Sequence, residues 1–175
     1  RSEHSDLFWA TCSGMGLTGI ILQAQIQLIH IETSYILKST KATNNLDETI
    51  AALEATEQEK YSVAWFDAAA KGQKLGRGIV YSGRHARVDE LPEKWKARPL
   101  AYSASQPFTV PFFFPGFALN AWSIKAFNWA YYGRNKSKAG QSIEPLNPFF
   151  YPLDKIQKWN RIYGRKGFLQ YQCVI

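Results

Sequence analysis

The sequence predicts an α+β fold, an antiparallel sheet flanked by helices. Three observations carry that prediction. Apolar and polar residues alternate with a period of two in several stretches, which marks strands with one buried face. Between them lie a helix-capping pattern at residues 45–48 and apolar residues at helical spacing over 123–132. The composition is 46% hydrophobic and 20% charged, an ordinary globular balance, neither disordered nor disulfide-rich.

Ser5 caps a short helix over 6–12, with Asp6 in its first turn. Ser13-Gly14-Met15-Gly16 breaks it. Over 18–30, Ala24, Ile26 and Leu28 alternate with Gln23, Gln25 and Gln27, so this stretch is expected as a strand. Asn45-Leu46-Asp47-Glu48 opens a helix running to about residue 57, with Ile50 and Leu53 inward. Residues 61–68 form the next strand, with Tyr61, Val63 and Trp65 on one face and Ala64 and Phe66 on the other. Lys71-Gly72-Gln73-Lys74 turns the chain into a strand over 76–82, giving an antiparallel hairpin with a long loop.

Five prolines punctuate 83–118, where a short helix is expected over 91–96 and an aromatic loop over 112–117. A helix follows over 123–132, then a polar surface loop over 133–141. A short helix over 152–160 stops near Gly164, and 167–175 closes the chain as a strand. The helices are expected on one side of the sheet.

The net charge is +7, carried by small scattered groups such as Arg84/His85/Arg87 and Arg134/Lys136/Lys138. A solvated basic surface is the leading explanation, ahead of a specific anionic partner. No helix carries a dense basic stripe and no zinc-finger spacing exists, which argues against nucleic acid. Cys12 and Cys173 lie far apart in apolar surroundings and are expected as buried, inert thiols. No stretch reaches transmembrane length. The chain starts at Arg1 and stops inside the expected last strand, so both ends are expected to be boundaries within a larger protein.

In the last strand, Gln170 and Gln172 share a face, about 7 Å apart, opposite apolar Tyr171 and Cys173. Primary amides donate and accept, so the pair suits vicinal sugar hydroxyls, although glutamine is also common on an exposed sheet face. Trp65 is either a core residue or a flat wall for a ring-shaped ligand. Gly14-Met15-Gly16-Leu17-Thr18-Gly19 precedes a strand rather than opening a helix, so it is not the dinucleotide fingerprint. Its glycines can still let backbone approach a cofactor. His4, His30 and His85 have no carboxylate or cysteine at useful spacing. The residues alone give a pocket-like surface, no catalytic group and no metal site.

Residues 5–21, Ser-Asp-Leu-Phe-Trp-Ala-Thr-Cys-Ser-Gly-Met-Gly-Leu-Thr-Gly-Ile-Ile, resemble the end of the FAD-binding domain of FAD-linked oxidases, the vanillyl-alcohol oxidase group. Tyr61-Ser62-Val63-Ala64-Trp65-Phe66-Asp67, Lys74-Leu75-Gly76-Arg77, Pro152-Leu153-Asp154, Trp159-Asn160-Arg161-Ile162-Tyr163-Gly164 and Gly167-Phe168-Leu169-Gln170-Tyr171-Gln172 narrow the resemblance to members acting on a lipid-linked ribose. The resemblance implies that residues 1–32 are the C-terminal end of a first FAD-binding segment. Residues 33–175 would be a substrate-binding domain truncated at its C-terminal side.

By the same resemblance, Gly14, Gly16, Gly19 and Ile20 would meet the flavin. Trp65, Phe150, Gln170 and Gln172 would line the substrate pocket. The family's catalytic lysine falls beyond residue 175, so no catalytic residue is expected in this chain. The implied reaction is oxidation of the 2′-hydroxyl of polyprenylphosphoryl-β-D-ribose, in bacterial cell-wall arabinan synthesis, with hydride transfer to FAD. The implied partner is a reductase acting on the keto product. The basic surface groups of the sequence are separately expected to meet an anionic membrane surface, on its cytoplasmic or periplasmic side. This chain departs from the family at Phe150-Tyr151, where Tyr-His is frequent. An FAD-linked oxidase of another polyol and a non-redox carbohydrate or lipid-phosphate binding module remain alternatives.

Overall fold

The computed structural model describes residues 3–12 and 14–169. The chain divides into two compact units, residues 1–30 and 31–175.

The first unit is a helix and a glycine turn followed by chain without regular secondary structure. Helix α1 (Ser5–Cys12) carries Asp6 in its first turn. It ends where Gly14 passes so close to the Ala10 carbonyl oxygen that a Cβ would collide with it. Leu17 N–H then donates to Gly14 O at 2.8 Å, and Thr18 Oγ1 to Thr11 Oγ1 at 3.0 Å, closing the turn. The expected strand over 18–30 does not form among the described residues. Alternation gives a strand its faces, but a paired strand gives it hydrogen bonds, and among the described residues none pairs with this segment. Cys12 is exposed, contrary to its expected burial, because α1 buries no residue at all. Cys173 lies outside the described residues.

The second unit is built on a four-stranded, wholly antiparallel sheet in the order β2-β3-β1-β5. Its elements run β1 (Tyr35–Thr43), α2 (Leu46–Glu54), β2 (Tyr61–Phe66), β3 (Gly78–His85), α3 (Glu93–Lys96), β4 (Phe108–Thr109), α4 (Ala121–Lys136), β5 (Gly140–Pro145), α5 (Leu146–Phe150) and β6 (Ile156–Gln157). The expected β2–β3 hairpin forms, with Trp65 opposite Ile79. Strands β4 and β6 make a small parallel pair. The fold class is α+β, as expected.

Cross-strand register sorts the sheet into two faces, since directly opposed residues point the same way. One face carries Tyr35, Leu37, Thr43, Gly78, Ser82 and Ser62; the other carries Lys38, Thr40, Tyr81, Tyr61, Val63 and Trp65. Helices cover both, not one. Helix α2 lies on the first face: Thr49 Oγ1 meets Thr43 Oγ1 at 2.6 Å, and Thr56 Oγ1 meets Ser62 Oγ at 2.8 Å. Tyr35 stacks on Trp95 of α3 there, with ring centroids 4.5 Å apart, over Ala86 and Leu91. Helices α4 and α5 bring Tyr131 and Phe150 to the second face.

Asn45 caps α2, accepting from Glu48 N–H at 2.8 Å, while Glu48 reaches back to Asn44 N–H. The helix turns Thr49 and Ala52 inward and leaves Ile50 exposed, correcting its expected burial. Two threonine hydroxyls fill the contact instead, and Gly76, at φ 70°, lets Leu46 pack against the hairpin.

The polar stretch over 133–141 is not a loop. Helix α4 continues to Lys136, and Gly140 and Gln141 begin β5. Residues 152–160 form no single helix but a 3-10 turn (Pro152–Lys155), β6 and the start of a second 3-10 turn (Trp159–Tyr163). Residues 167–169 of the expected last strand form no strand, and 170–175 lie outside the described residues.

Candidate functional site

The open part of the second sheet face is the candidate site. Trp65 projects from edge strand β2 and is half-buried, not sealed in a core. Its ring lies 4.7 Å from that of Tyr131 on α4, at 51°. Tyr131 in turn stacks loosely on Phe127, 5.9 Å away, and its hydroxyl lies 3.3 Å from that of Tyr81. Burial pushes the Tyr81 phenol up; the bond to Tyr131 and the charge of Glu144 push it the same way. Tyr81 is therefore a neutral hydroxyl at any ordinary pH.

The centre of the face is polar. Lys38 Nζ donates to Glu144 Oε2 at 2.8 Å and sits 5.4 Å over the Tyr81 ring. Strand pairing enforces this: Lys38 and Glu144 lie on adjacent strands, in neighbouring registers of one face.

The far end is aromatic again. Phe150 on α5 meets Tyr61 edge-on at 4.8 Å, and Phe149 lies 5.0 Å from Phe150. His85 stands beside Tyr61 at 5.7 Å, its Nδ1–H donating to Thr33 O at 2.9 Å. Tyr61 and Trp65 are four residues apart on β2, so the two aromatic ends are separated by about 14 Å. Between them Val63 is 51% exposed. The result is an aromatic bay with a charged pair at its floor. Flat rings flanking a few convergent polar groups suit a sugar-sized ligand.

Of the residues singled out from sequence, Trp65 and Phe150 fall at opposite ends of this face. Gln170 and Gln172 lie outside the described residues. Lys38, Tyr61, Tyr81, Tyr131 and Glu144 were not singled out. Alternation on β2 had placed Tyr61 beside Trp65, but nothing local marks a lone Lys and Glu as partners 106 residues apart.

In the first unit, Gly16 has φ 81° and Gly19 has φ 134°, with open space where a side chain would stand. Ile20 is 90% exposed. These positions offer bare backbone to a planar cofactor, as glycines can. They supply no side-chain charge for a diphosphate, so this segment fits one edge of an FAD site and no more.

Two of the recurring motifs are structural. Asp67 pairs with Arg77 at 2.9 Å and accepts from Asn128 at 2.7 Å, closing the β2–β3 hairpin and tying α4 to it. Burial alone would push the Asp67 carboxyl up; the bonds from Asn128, Arg77 and the Ala69 backbone outweigh it and hold it below its ordinary value. Arg161 donates to the carbonyls of Val110 (3.1 Å) and Pro111 (2.7 Å), clamping the aromatic loop. A wide cleft of about 800 Å³ beside α2, lined by Asn45, Lys74, Arg77, Tyr132 and Lys136, includes none of the predicted site residues. Its arginine is already held by Asp67. Among the described residues no cluster of His, Cys, Asp and Glu could hold a metal.

No family model matches the chain. Over 173 residues, 98% of its length, it is 42% identical to decaprenylphosphoryl-beta-D-ribose oxidase from Mycolicibacterium smegmatis, of which it spans 37%. It is also 38% identical over 102 residues to an uncharacterized Streptomyces coelicolor protein, of which it spans 28%. In both cases the chain spans well under half of the relative's own length.

Proposed function

We propose that this chain forms the sugar-binding part, and one edge of the flavin site, of an FAD-dependent oxidase. The substrate on this reading is the 2′-hydroxyl of a polyprenylphosphoryl-β-D-ribose. The identity to an oxidase of that name across nearly the whole chain carries the reading. The open aromatic bay adds to it, because Trp65 and Phe150 share a face with room between them.

On this reading Trp65 is a wall for the ribose ring, and Gln170 and Gln172 hold its hydroxyls. FAD, when bound, accepts the hydride that leaves C2′ as the carbinol becomes a ketone; the hydroxyl proton leaves separately to a base outside this chain. The part of residues 31–169 is to orient the sugar and keep water from the reacting carbon. The keto product then suits a reductase partner.

A second reading is supported by one observation. Phe150 meets Tyr61 edge-on and offers no hydroxyl, and Tyr151 offers a phenol in place of an imidazole. An oxidase of this kind acting on another polyol would accommodate that change.

The test is anaerobic addition of polyprenylphosphoryl ribose to the full-length protein, followed by its visible spectrum. Bleaching of flavin absorbance is expected. Bleaching by another polyol alone selects the second reading. A full-length protein without flavin would instead make this chain a binding module.

A further inference from the structure

Residues 94–143 contain no Asp or Glu and seven Lys or Arg. The rest of the chain holds fourteen residues of each sign, so the entire net charge of +7 resides in this one stretch. The same stretch carries the most exposed rings of the second unit. Phe117 is 79% exposed on the aromatic loop, and Trp122 and Trp129 are 82% and 71% exposed on α4. We infer that the aromatic loop and the exposed flank of α4 form a docking surface for an anionic lipid bilayer.

The geometry of α4 supports this. Trp122, Lys125, Trp129 and Lys136 fall within about 60° of one another around the helix. Lys125 Nζ lies 5.7 Å over the Trp122 ring, and Lys136 Nζ 5.8 Å over that of Tyr132. The inward residues Asn128, Tyr131 and Tyr132 are bonded to the hairpin, the sheet and Thr43 O respectively, so the Trp stripe lies about a quarter turn around the helix from them, on its exposed flank. Asn120 caps the start of the helix, accepting from Trp122 and Ser123 N–H, which fixes the stripe next to the loop. Beneath the loop, Phe113, Phe114, Leu119 and Tyr163 share a cleft of about 560 Å³ with Arg165 and Lys166.

Exposed rings beside basic side chains are the composition of an interfacial helix. Trp and Phe sit at the headgroup boundary, while Lys and Arg meet anionic lipid. Among the described residues no helix is long and apolar enough to cross a membrane. Two other occupants fit less well. A second copy in a two-fold contact would set this positive surface against itself. Nucleic acid would use the flat rings and the charge, but not the hydrocarbon of Leu119, which is 40% exposed beside the loop. The surface is independent of the sugar site, and its test does not measure oxidation.

Flotation of the full chain with phosphatidylcholine vesicles, with and without phosphatidylglycerol, tests the assignment. Binding is expected only with the anionic lipid, weakening as salt rises. The variant Phe117→Ser/Trp122→Ser/Trp129→Ser should lose about tenfold or more in vesicle affinity. Lys125→Gln/Lys136→Gln/Lys138→Gln should lose affinity on anionic vesicles and flatten the salt dependence. Circular dichroism should show both variants folded, since the replaced side chains are exposed or lie at a helix end. If the aromatic variant fails to fold, the lysine variant and the salt series decide alone. Equal binding to vesicles lacking phosphatidylglycerol overturns the inference. So do unchanged binding by the variants, tighter binding to single-stranded DNA than to vesicles, and self-association abolished by the aromatic variant.

Discussion

The two faces of the sheet are finished in different ways. Under α2 and α3 the contact is closed: threonine hydroxyls pair across it, Tyr35 stacks on Trp95, and Leu91 and Ala86 fill the rest. Under α4 and α5 the central strands are sealed too, with Ile36 and Ile79 fully buried, but along edge strand β2 rings meet only at the two ends and Val63 is left half in solvent between them. Both faces belong to the same strands, so the difference lies in the helices that cover them. A closed face stabilises the fold. An open one, floored by a charged pair, costs stability and leaves room for a ligand.

If that division holds, the largest stability effects belong to the closed face. Tyr35→Ala removes a buried ring stacked at 4.5 Å and should cost about 3–5 kcal/mol in denaturant unfolding. Trp65→Ala, half-buried on the open face, should cost less than half as much. Equal losses would show that Trp65 is core, and the bay would cease to be a binding surface.

Next comes the tie between the hairpin and α4. Asp67→Asn leaves the half-buried Arg77 without its counter-charge and should cost about 3 kcal/mol. The pH dependence has a definite sign. The Asp67 carboxyl is held below its ordinary value of 3.8, so its contribution is present above that pH and is lost as pH falls through the lowered value. Glu90, lowered to about 2 mainly by its bonds from Arg84, loses its contribution over the same acid range. The wild-type chain should therefore weaken below about pH 4, and Asp67→Asn should show a flatter acid limb. An unchanged acid limb in the variant would mean that Asp67 titrates alike in folded and unfolded chains.

The open face should answer in turnover rather than stability. In the full-length protein, Gln172→Ala and Gln170→Ala should each lower kcat/KM for the lipid-linked ribose roughly 5- to 150-fold, about 1–3 kcal/mol of lost hydrogen bonding to a desolvated hydroxyl. Flavin content should not change. Unaltered turnover in both and in the double variant would remove these amides from the sugar site.

Sequence reasoning found the β2–β3 hairpin, α1, α2 and α3, because each has a local signature: alternation, a glycine stop or a cap. It missed β1, the strand at the centre of the sheet. In β1 the residues Lys38, Ser39, Thr40 and Lys41 break any apolar alternation, and the cover over Lys38 comes from a partner far along the chain, Glu144. It also gave residues 18–30 a strand on alternation alone, where no described strand pairs with the segment. The candidate site shows the same split. Trp65 and Phe150 were legible through resemblance and one-residue chemistry. Lys38, Tyr81, Tyr131 and Glu144 come together only through the register of three strands and the placement of α4.

The smallest expected effect tests the phase of α2, on which the closed face depends. From sequence, Ile50 was expected inward; in the structure it is 46% exposed, and Thr49 and Ala52 take the inward positions. The physical reason is the hydroxyl of Thr49, which lies 2.9 Å from the carbonyl oxygens of both Asn45 and Gly76 and meets Thr43 besides. A helix rotated to bury Ile50 would strand that hydroxyl and the Gly78 N–H now bonded to Thr43 Oγ1 at 3.0 Å. Ile50→Ser should therefore change stability by about half a kcal/mol or less, since the two residues have similar helix propensity and the site is on the surface. Thr49→Val, which keeps the shape and deletes the hydroxyl, should cost about 1–3 kcal/mol by leaving buried acceptors unpaired. Thermal unfolding of the two variants side by side decides the phase: a larger loss from Ile50→Ser than from Thr49→Val would turn the helix over and reopen the face described here as closed.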